Sequence, residues 1–388
     1  MSEMSYLEKL LDGVEVEWKT LGQTCKIETG KLNANAAVDD GEYMFFTTAK
    51  ETSKIDKFRW DTEALLIAGN ANVGEVKHYI GKFEAYQRTY VLTNFDENVS
   101  VRFLYFVLSH SLKKYLEERT NSAAMTYIVL STLENFPIPI PCPDNPEKSL
   151  AIQSEIVRIL DKFSALTAAL TAELSMRKKQ YNYYRDQLLS LEEDEIEWKA
   201  LDDVCALISA GGDVPENSVK GQVKPTNEYP YPIYANATDE KGLYGYTDSY
   251  KIDSDAVTIS ARGAKVGYHT VRDAKFTPII RLIVLVANKN LVRTRYLNYV
   301  LDMTAIGGTD GGIPQLTVPM VKKITVPIPF ASNPNRSLAE QDRIIAILDK
   351  FEILTNSINE GLPREINLRQ KQYEYYRDLL LSFPKSNV

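Results

Sequence analysis

The chain has 388 residues, of which 44% are apolar and 25% charged, so it has the composition of a globular protein and the length of two domains. The net charge of −7 argues against a uniformly basic nucleic-acid-binding surface, and any contact with DNA therefore needs local basic patches. The longest uncharged apolar runs have the length of a strand, which excludes a transmembrane helix. No secretion signal is recognisable at the start, and we expect a cytoplasmic protein.

Three cysteines and three histidines are scattered along the chain. Cys25, Cys142 and Cys205 have no CxxC spacing, and the histidines do not cluster. We therefore expect neither a disulfide framework nor a metal site.

The second half of the chain repeats the first. Residues 15–21 (EVEWKTL) match 195–201 (EIEWKAL), and the separation of matching segments stays between 180 and 193 positions. Further matching pairs are 81–92 with 274–285, 136–146 with 324–334, 159–163 (ILDKF) with 347–351, and 179–190 (KQYNYYRDQLLS) with 371–382 (KQYEYYRDLLLS). Because the separation between matching segments varies so little along the chain, it indicates a tandem duplication with modest insertions.

Each half begins with a mixed segment. Runs rich in β-formers, such as 281–286 (RLIVLV), occur with amphipathic stretches, such as 101–118, and with glycine and asparagine turns. This pattern predicts an α+β globule in each half, ended by a proline run that in the first copy occupies 137–146. We predict the two globules at 1–145 and 193–333.

A long helical pattern follows each globule, at 146–192 and 334–384. Its apolar residues recur every three, four or seven positions, and such a stripe needs a partner helix to bury it. The predicted pairing residues are Ile156, Leu160, Phe163, Leu166, Leu170, Leu174 and Leu188 in the first helix and Ile344, Leu348, Phe351, Leu354, Ile358 and Leu380 in the second. We expect a pair of long antiparallel helices, a coiled coil, with the halves related by a pseudo-two-fold axis. Gly361 and Pro363 predict a kink or break in the second helix.

Some segments resemble catalytic motifs, but each has a structural interpretation. Residues 69–76 (GNANVGEV) have the glycine spacing of a phosphate loop, yet Glu75 stands where a lysine is required, so we predict a glycine turn. Residues 143–148 (PDNPEK) are interpreted as a helix entry, with Asn145 or Ser149 near the cap. No methyltransferase, Ser-His-Asp or HExxH motif is recognisable, and we expect no catalytic residue.

The repeated tyrosines are interpreted as helix-packing residues rather than as stacking platforms. They are Tyr181, Tyr183 and Tyr184 in the first copy and Tyr373, Tyr375 and Tyr376 in the second.

Basic and amide side chains near the turns of each globule are the candidates for contacting DNA. Arginine and lysine can pair with phosphates or guanine edges, and asparagine and glutamine with adenine edges. The candidates are Asn70, Asn72, Lys77, Lys82, Gln87 and Arg88 in the first globule and Arg262, Lys265, Lys275, Arg281 and Gln315 in the second. Lys82 aligns with Lys275, and Arg88 with Arg281, at the same separation of 193 positions. Their retention indicates a shared role, which a structural contact or a merely solvated surface would explain as well.

A globule, a PIPIP-type exit and a helix carrying ILDKF and KQYxYYRDxLL, all present twice, resemble the specificity subunit of Type I restriction-modification enzymes. The resemblance covers essentially the whole chain. Residues 81–92 also resemble a stretch of that family's target-recognition domains, whereas 274–285 depart from it, which suggests that the two domains read different sequences.

The resemblance implies a DNA-recognition subunit that is not itself an enzyme. Each globule would read one half of a split, asymmetric double-stranded DNA site, and the paired helices would set the spacing between the halves. The helices would also dock two methyltransferase subunits, joined by restriction and translocase subunits. S-adenosylmethionine, ATP and Mg would belong to those partners, and no cofactor to this chain.

Three alternatives remain at this stage. The same architecture would serve a Type IIB-like enzyme, whose partner fuses methyltransferase and nuclease. A coiled-coil scaffold that binds only proteins is favoured slightly by the acidity of the chain. An enzyme with an unfamiliar site is disfavoured by the missing catalytic motifs.

Overall fold

The computed structural model describes residues 15–119, 127–190, 195–236, 242–304, 306–307, 314–357 and 360–384. The chain divides into two compact units. Unit 1 contains Met1–Thr171 and Glu365–Val388, and unit 2 contains Ala172–Arg364. Each unit therefore combines the globule of one half with parts of both long helices.

Unit 1 is built on one mixed sheet. Its strands are β1 Val16–Thr20, β2 Lys26–Thr29, β3 Tyr43–Phe46, β4 Ser53–Ile55, β5 Trp60–Ala68, β6 Val76–Ala85, β7 Thr89–Thr93 and β8 Pro137–Pro141. Its helices are α1 Leu21–Thr24, α2 Val101–Arg119 and α3 Leu130–Glu134, together with the first part of α4 Pro146–Leu189. Six strands form a sheet in the order β2-β7-β5-β6-β3-β4, in which only β3 and β6 are parallel neighbours.

The central strand β5 is apolar on both faces because each face covers a core. Leu65 and Ile67 pack with α2 in the larger core, whereas Ala64 and Leu66 pack with Phe83 in a smaller one. Side chains alternate across a strand, so this one run supplies both cores. Gly74, with φ of +80°, lies in the turn between β5 and β6, which confirms the predicted glycine turn.

Unit 2 repeats this plan with a different sheet arrangement. Its strands are β9 Ile196–Ala200, β10 Cys205–Ala210, β11 Ser218–Lys220, β12 Tyr231–Tyr234, β13 Leu243–Thr247, β14 Ala256–Ser260, β15 His269–Arg272, β16 Thr277–Pro278, β17 Leu282–Ala287 and β18 Thr325–Pro329. Its helices are α5 Leu201–Val204, α6 Thr294–Asp302, α7 Val318–Lys322 and α8 Pro334–Asn356, and α9 Gly361–Leu380 begins in it. Two four-stranded sheets have the orders β10-β17-β14-β15 and β11-β13-β12-β16.

A two-stranded ribbon joins the entry and the exit of each globule. Strand β1 pairs with β8, and β9 pairs with β18, both antiparallel. The proline runs were expected to end the globules, but they form β8 and the end of β18. In β8 the prolines alternate with Ile138 and Ile140, so the isoleucines keep their N–H donors while their side chains are buried.

The long helices begin and break where the sequence predicts. The amide of Lys148 donates to Asn145 Oδ1 over 3.0 Å at the start of α4, which confirms Asn145 near the cap. The equivalent residue of α8, Asn333, accepts from the amide of Arg336 over 3.2 Å. The second helical pattern is interrupted between Asn356 and Gly361, so the predicted break is confirmed.

The two helical patterns pair antiparallel within each unit. In unit 1, Phe163 stacks on Tyr376 with ring centroids 5.2 Å apart, and Leu160 shares the core with Leu380. In unit 2, Tyr184 stacks on Phe351 at 5.6 Å in the same way. Matched stacking at corresponding positions is what a duplicated pairing surface produces.

The predicted pairing residues differ in burial along the helices. Those next to a globule, Ile156, Leu160, Ile344, Leu348 and Leu380, are fully buried because the globule covers them as well. Phe163, Leu170, Leu174, Leu188, Phe351 and Leu354 are half-buried. Leu166 is 41% exposed, and Ile358 lies outside the described residues.

The tyrosine prediction is correct for four residues and wrong for two. Tyr181, Tyr184, Tyr373 and Tyr376 pack in the cores or on a phenylalanine of the facing helix. Tyr183 and Tyr375 are 58% and 64% exposed, because they lie on the face of the helix turned away from that packing.

Candidate nucleic-acid interface

The first three candidates of unit 1 lie at the turn between β5 and β6. The Asn72 amide donates to the Thr48 carbonyl over 2.8 Å. Lys77 Nζ donates to the carbonyls of Ala49 and Lys50, both over 2.7 Å. These two side chains hold the loop between β3 and β4, so their donors already have partners. Asn70 Oδ1 is buried, and among the described residues it has no hydrogen-bond donor.

Gln87 and Arg88 lie in the turn between β6 and β7, beside the first group. The Arg88 carbonyl accepts from the Gly69 amide over 2.9 Å, which joins the two turns. Gln87 Nε2 donates to Asn33 Oδ1 over 2.9 Å, and the side chain of Arg88 is exposed. The structure thus brings Asn70 and Arg88 to one edge of the sheet.

Unit 2 brings three of its candidates together at the equivalent edge. Arg262 and Gln315 form a backbone bridge, and the Asn236 amide donates to the Arg262 carbonyl over 2.9 Å. The Arg281 carbonyl accepts from the Ala261 amide over 2.9 Å, so this residue adjoins the pair. Lys265 is exposed in the turn that follows. An arginine, an amide side chain and exposed cations at one edge are the groups that bind phosphates and base edges.

Lys82 and Lys275 lie apart from these turns, and each adjoins exposed aromatic rings. Lys82 Nζ is 4.8 Å from the ring centroid of Phe58, and Lys275 Nζ is 5.6 Å from that of Tyr250. A second ring touches the first in both units, Tyr43 at 4.9 Å from Phe58 and Tyr231 at 4.8 Å from Tyr250.

These four aromatic residues were missed by sequence reasoning. Alignment of the two halves at separations of 188 and 192 positions pairs Tyr43 with Tyr231 and Phe58 with Tyr250. That alignment could have indicated these residues, but the segment around Phe58 has no other obvious match in the second half of the chain.

A buried glutamine fixes each globule on its long helix. Gln153 Nε2 donates to the Asn98 carbonyl over 2.9 Å, and its Oε1 accepts from the Ser100 amide over 2.8 Å. Gln341 makes the same two bonds to the Leu291 carbonyl and the Arg293 amide, at 3.0 and 2.8 Å. Both side chains are fully buried, so the segment before α2 and before α6 is held identically.

An arginine at the start of each globular helix adds an ion pair to the same junction. Arg102 contacts Asp161 at 2.6 Å, and Arg295 contacts Asp349 at 2.8 Å. Each globule is therefore oriented on α4 or α8 by an amide and a charged pair, which gives the edge with the candidate residues a defined direction relative to that helix.

Two cysteines of the globules, Cys25 and Cys205, are not activated. Burial raises the pKa of Cys25 and of Cys205 to about 12, so both are neutral thiols at pH 7.

Within the described ranges, every helix is too short or too polar to span a bilayer.

Comparison with known proteins identifies the family. A family model described as Type I restriction modification DNA specificity domain matches the chain twice, at residues 13–176 and 193–368. The specificity subunit of the Type I restriction enzyme EcoR124I/EcoR124II from Escherichia coli is 38% identical, with 99% of this chain and 98% of the relative covered. The EcoprrI specificity subunit, also from Escherichia coli, is 34% identical over 93% of both chains. The chain belongs to the specificity subunits of Type I restriction-modification systems.

Solved structures have the same fold. The S subunit of a Type-I restriction-modification system from M. genitalium has a TM-score of 0.64 at 16% identity, with 97% of this chain and 98% of that chain covered. A chain solved in work on complex assembly of the type I R-M system has a TM-score of 0.55 at 12% identity, with 94% and 97% covered. The relatives carry Type I names, which favours this family over the Type IIB-like and protein-only alternatives.

Proposed function

We propose that this chain is the DNA-reading subunit of a Type I restriction-modification complex and recognises a two-part, asymmetric site. Unit 1 would read one half-site and unit 2 the other. The observation that carries the proposal is the double match of one specificity-domain family to two globules whose sheets differ. Two domains with one scaffold and unlike edges are suited to two unlike DNA sequences.

The candidate contacts are the residues at the sheet edges. Arg88 in unit 1, and Arg262, Gln315 and Arg281 in unit 2, have the hydrogen-bonding groups that read base edges in the major groove. Asn70 would first have to expose its buried Oδ1. Asn72 and Lys77 act instead as positioning residues, since they hold the loop between β3 and β4. Gln87 would contact DNA only by exchanging its bond to Asn33.

The chain also serves as a scaffold in this proposal. Two methyltransferase subunits would dock on the two copies of the KQYxYYRD phrase, and restriction subunits would join that core. Tyr183 and Tyr375 support this assignment, because they are equivalent in the duplication and both are largely exposed. S-adenosylmethionine, ATP and Mg would be held by the partners.

Methylome sequencing tests the proposal. Cells that express this chain with the adenine methyltransferase subunit of its system are expected to carry methylated adenines in one two-part motif with a fixed spacer. The methyltransferase without this chain is the control, and no motif is expected there. A contiguous motif, or the same motif without this chain, would contradict the proposal.

The long helices would set the spacer of the recognised site. Insertion of one helical turn, four residues, between Leu166 and Leu174 is therefore expected to change the spacer length while both half-site sequences stay the same. Methylome sequencing again gives the readout. An unchanged spacer with normal methylation would refute this role of the helices.

A further inference from the structure

Both units carry the same three-residue arrangement, in which an exposed lysine adjoins a pair of aromatic rings. It consists of Tyr43, Phe58 and Lys82 in unit 1 and of Tyr231, Tyr250 and Lys275 in unit 2. Phe58 is 41% exposed and Tyr250 37%, although large aromatic rings are usually buried. We call this arrangement the aromatic-lysine element.

The backbone holds the element in the same way in both units. The Arg59 amide, next to Phe58, donates to the Phe83 carbonyl, next to Lys82, over 3.0 Å. In unit 2, the Lys251 amide donates to the Phe276 carbonyl over 3.2 Å. Ring and lysine are thus placed side by side by a strand contact, so the element is formed before any ligand binds.

The element has been retained although its surroundings have changed. In unit 1, the lysine lies within the continuous strand β6, whereas in unit 2 it lies between β15 and β16, with φ of +68°. A positive φ at a non-glycine residue is unfavourable, so the local backbone does not explain why Lys275 is a lysine, and a role shared with Lys82 does.

Neither lysine forms an ion pair among the described residues, although Asp61 is the cross-strand neighbour of Lys82. The side chains of Lys82 and Lys275 are both exposed. Many other cations at the surface are paired, for example Lys26 with Glu28 and Lys289 with Asp255. An unpaired ammonium beside an apolar ring is suited to an anionic ligand with an apolar part.

We propose that the aromatic-lysine element is a common contact to the DNA backbone, with the lysine on a phosphate and the rings against the adjacent deoxyribose. This inference rests on the proposed function. An element that reads bases would differ between two domains that read different half-sites, whereas the phosphate and sugar are the same at every position. The element therefore supplies affinity that is independent of sequence, equally in both units.

The test measures binding of the full-length chain, in complex with the methyltransferase subunit of its system, to a fluorescent mixed-sequence duplex at several salt concentrations. Each phosphate contact contributes about 0.9 to the slope of log affinity against log salt. The double variant Lys82→Gln/Lys275→Gln is expected to lower the slope by about 1.8, and each single variant by about half of that. Lys162→Gln/Lys350→Gln is the matched control, because it removes two exposed, equivalent lysines from the long helices.

Further variants separate charge from packing. Lys82→Arg/Lys275→Arg is expected to keep the slope, since the charge is retained. Phe58→Leu/Tyr250→Leu is expected to weaken binding several-fold at every salt concentration without changing the slope. Circular dichroism melting is recorded for each variant, and the leucine variant gives an independent readout if the glutamine variant folds poorly.

The outcomes distinguish this inference from the proposed function. If the complex with the unmodified chain does not bind the duplex and gives no two-part methylated motif in cells, the proposed function itself fails. If the chain binds, but the glutamine variant and its control have the same slope, the aromatic-lysine element is not a phosphate contact. If the glutamine variant changes the methylated motif in cells, the element reads bases and the backbone assignment is overturned.

Discussion

The two globules have one scaffold but differ in the part of the sheet away from the long helices. In unit 1, the ten-residue strand β6 bends at Gly81, where φ is +130°, and continues to pair with β3. The equivalent residue in unit 2 is Ala274, and there the strand is interrupted between β15 and β16. Unit 1 has one six-stranded sheet in this part, whereas unit 2 has two four-stranded sheets.

The difference shows which parts of the domain are constrained. The buried glutamine, the arginine ion pair and the two-stranded ribbon are all on the helix side, and they are the same in both units. The strands away from the long helices are free to change because they do not take part in these contacts. Two domains that share one scaffold but read different sequences require strands that vary and a contact to the helix that stays the same.

The largest stability difference is expected in the smaller cores. Phe83 stacks on Trp60 at 5.4 Å and also contacts the rings of Phe46 and Tyr79, whereas Phe276 contacts only Tyr234 among the described aromatic residues. Phe→Ala in a core costs about 3–5 kcal/mol, and each aromatic pair adds about 0.5–1.5 kcal/mol. Phe83→Ala is therefore expected to lower the free energy of unfolding by about 1–3 kcal/mol more than Phe276→Ala.

Hydrogen exchange with mass spectrometry measures this effect in each unit separately. Ile80→Ala is the matched control, because this residue lies on the same strand and is 67% exposed. Its cost is expected to stay below about 0.5 kcal/mol. Equal effects of Phe83→Ala and Phe276→Ala would show that the aromatic network of unit 1 does not distinguish the cores.

A smaller difference between the units is expected at the two buried glutamines, where the losses of stability should be equal. Gln153→Ala and Gln341→Ala each leave a partly buried carbonyl and amide without their partner, which costs up to about 1–3 kcal/mol. Because both glutamines make the same bonds, the two losses should agree within about 0.5 kcal/mol. Urea unfolding followed by hydrogen exchange in each globule gives the values, with Gln87→Ala at the exposed turn as the control. Clearly unequal losses would refute an equivalent junction.

The smallest effect is expected in the pH dependence, where the units should differ in sign. Burial, with Arg377 nearby, lowers the pKa of His110 in unit 1. Burial also acts on His269 in unit 2, but the carboxylate of Asp302, 3.1 Å away, and the Gly267 carbonyl outweigh it and raise the pKa. Protonation therefore favours the unfolded form at His110 and the folded form at His269.

The measurement compares His110→Gln and His269→Gln with the unmodified chain at pH 5.5 and pH 8. The pKa of a histidine in the unfolded chain is about 6.5, and below this pH His110 destabilises the unmodified chain. His110→Gln should therefore be more stable relative to the unmodified chain at pH 5.5 than at pH 8. At His269, the stabilisation is fully present below the pKa of the unfolded chain, and it is lost as the pH rises through the raised pKa of the folded chain. His269→Gln should therefore lose more at pH 5.5 than at pH 8. The same sign for both variants would contradict the opposite pKa shifts.

Local patterns and the duplication predicted much of the fold. The glycine turn at 69–76, Asn145 near the cap and the break before Gly361 follow from residues next to each other in sequence. The strand formed by the proline run was not predicted, because it pairs with β1, about 120 positions earlier in the chain. Proline has no N–H donor, so it fits a strand only where its nitrogen faces away from the partner strand, and the two-stranded ribbon provides that arrangement.

The candidate interface was predicted less well than the fold. Residue type alone does not distinguish Lys77, which holds a loop through two carbonyls, from Lys82, which is exposed beside a ring. The interruption between β15 and β16 includes Ala274, the equivalent of Gly81, and the sequence alone does not show how the strands on either side of it pair. Tertiary contacts decided both outcomes.

The most direct test of the account is an exchange of one globule. Residues 22–136 lie between the two strands of the ribbon, since Leu21 donates its amide to the Phe136 carbonyl over 2.8 Å, and the exchange therefore preserves β1 and β8. With the corresponding segment of a relative that has a different methylation motif, the methylome is expected to show one half-site replaced and the other half-site and the spacer unchanged. Replacement of both half-sites, or of neither in an active complex, would contradict two independent readers on a shared scaffold.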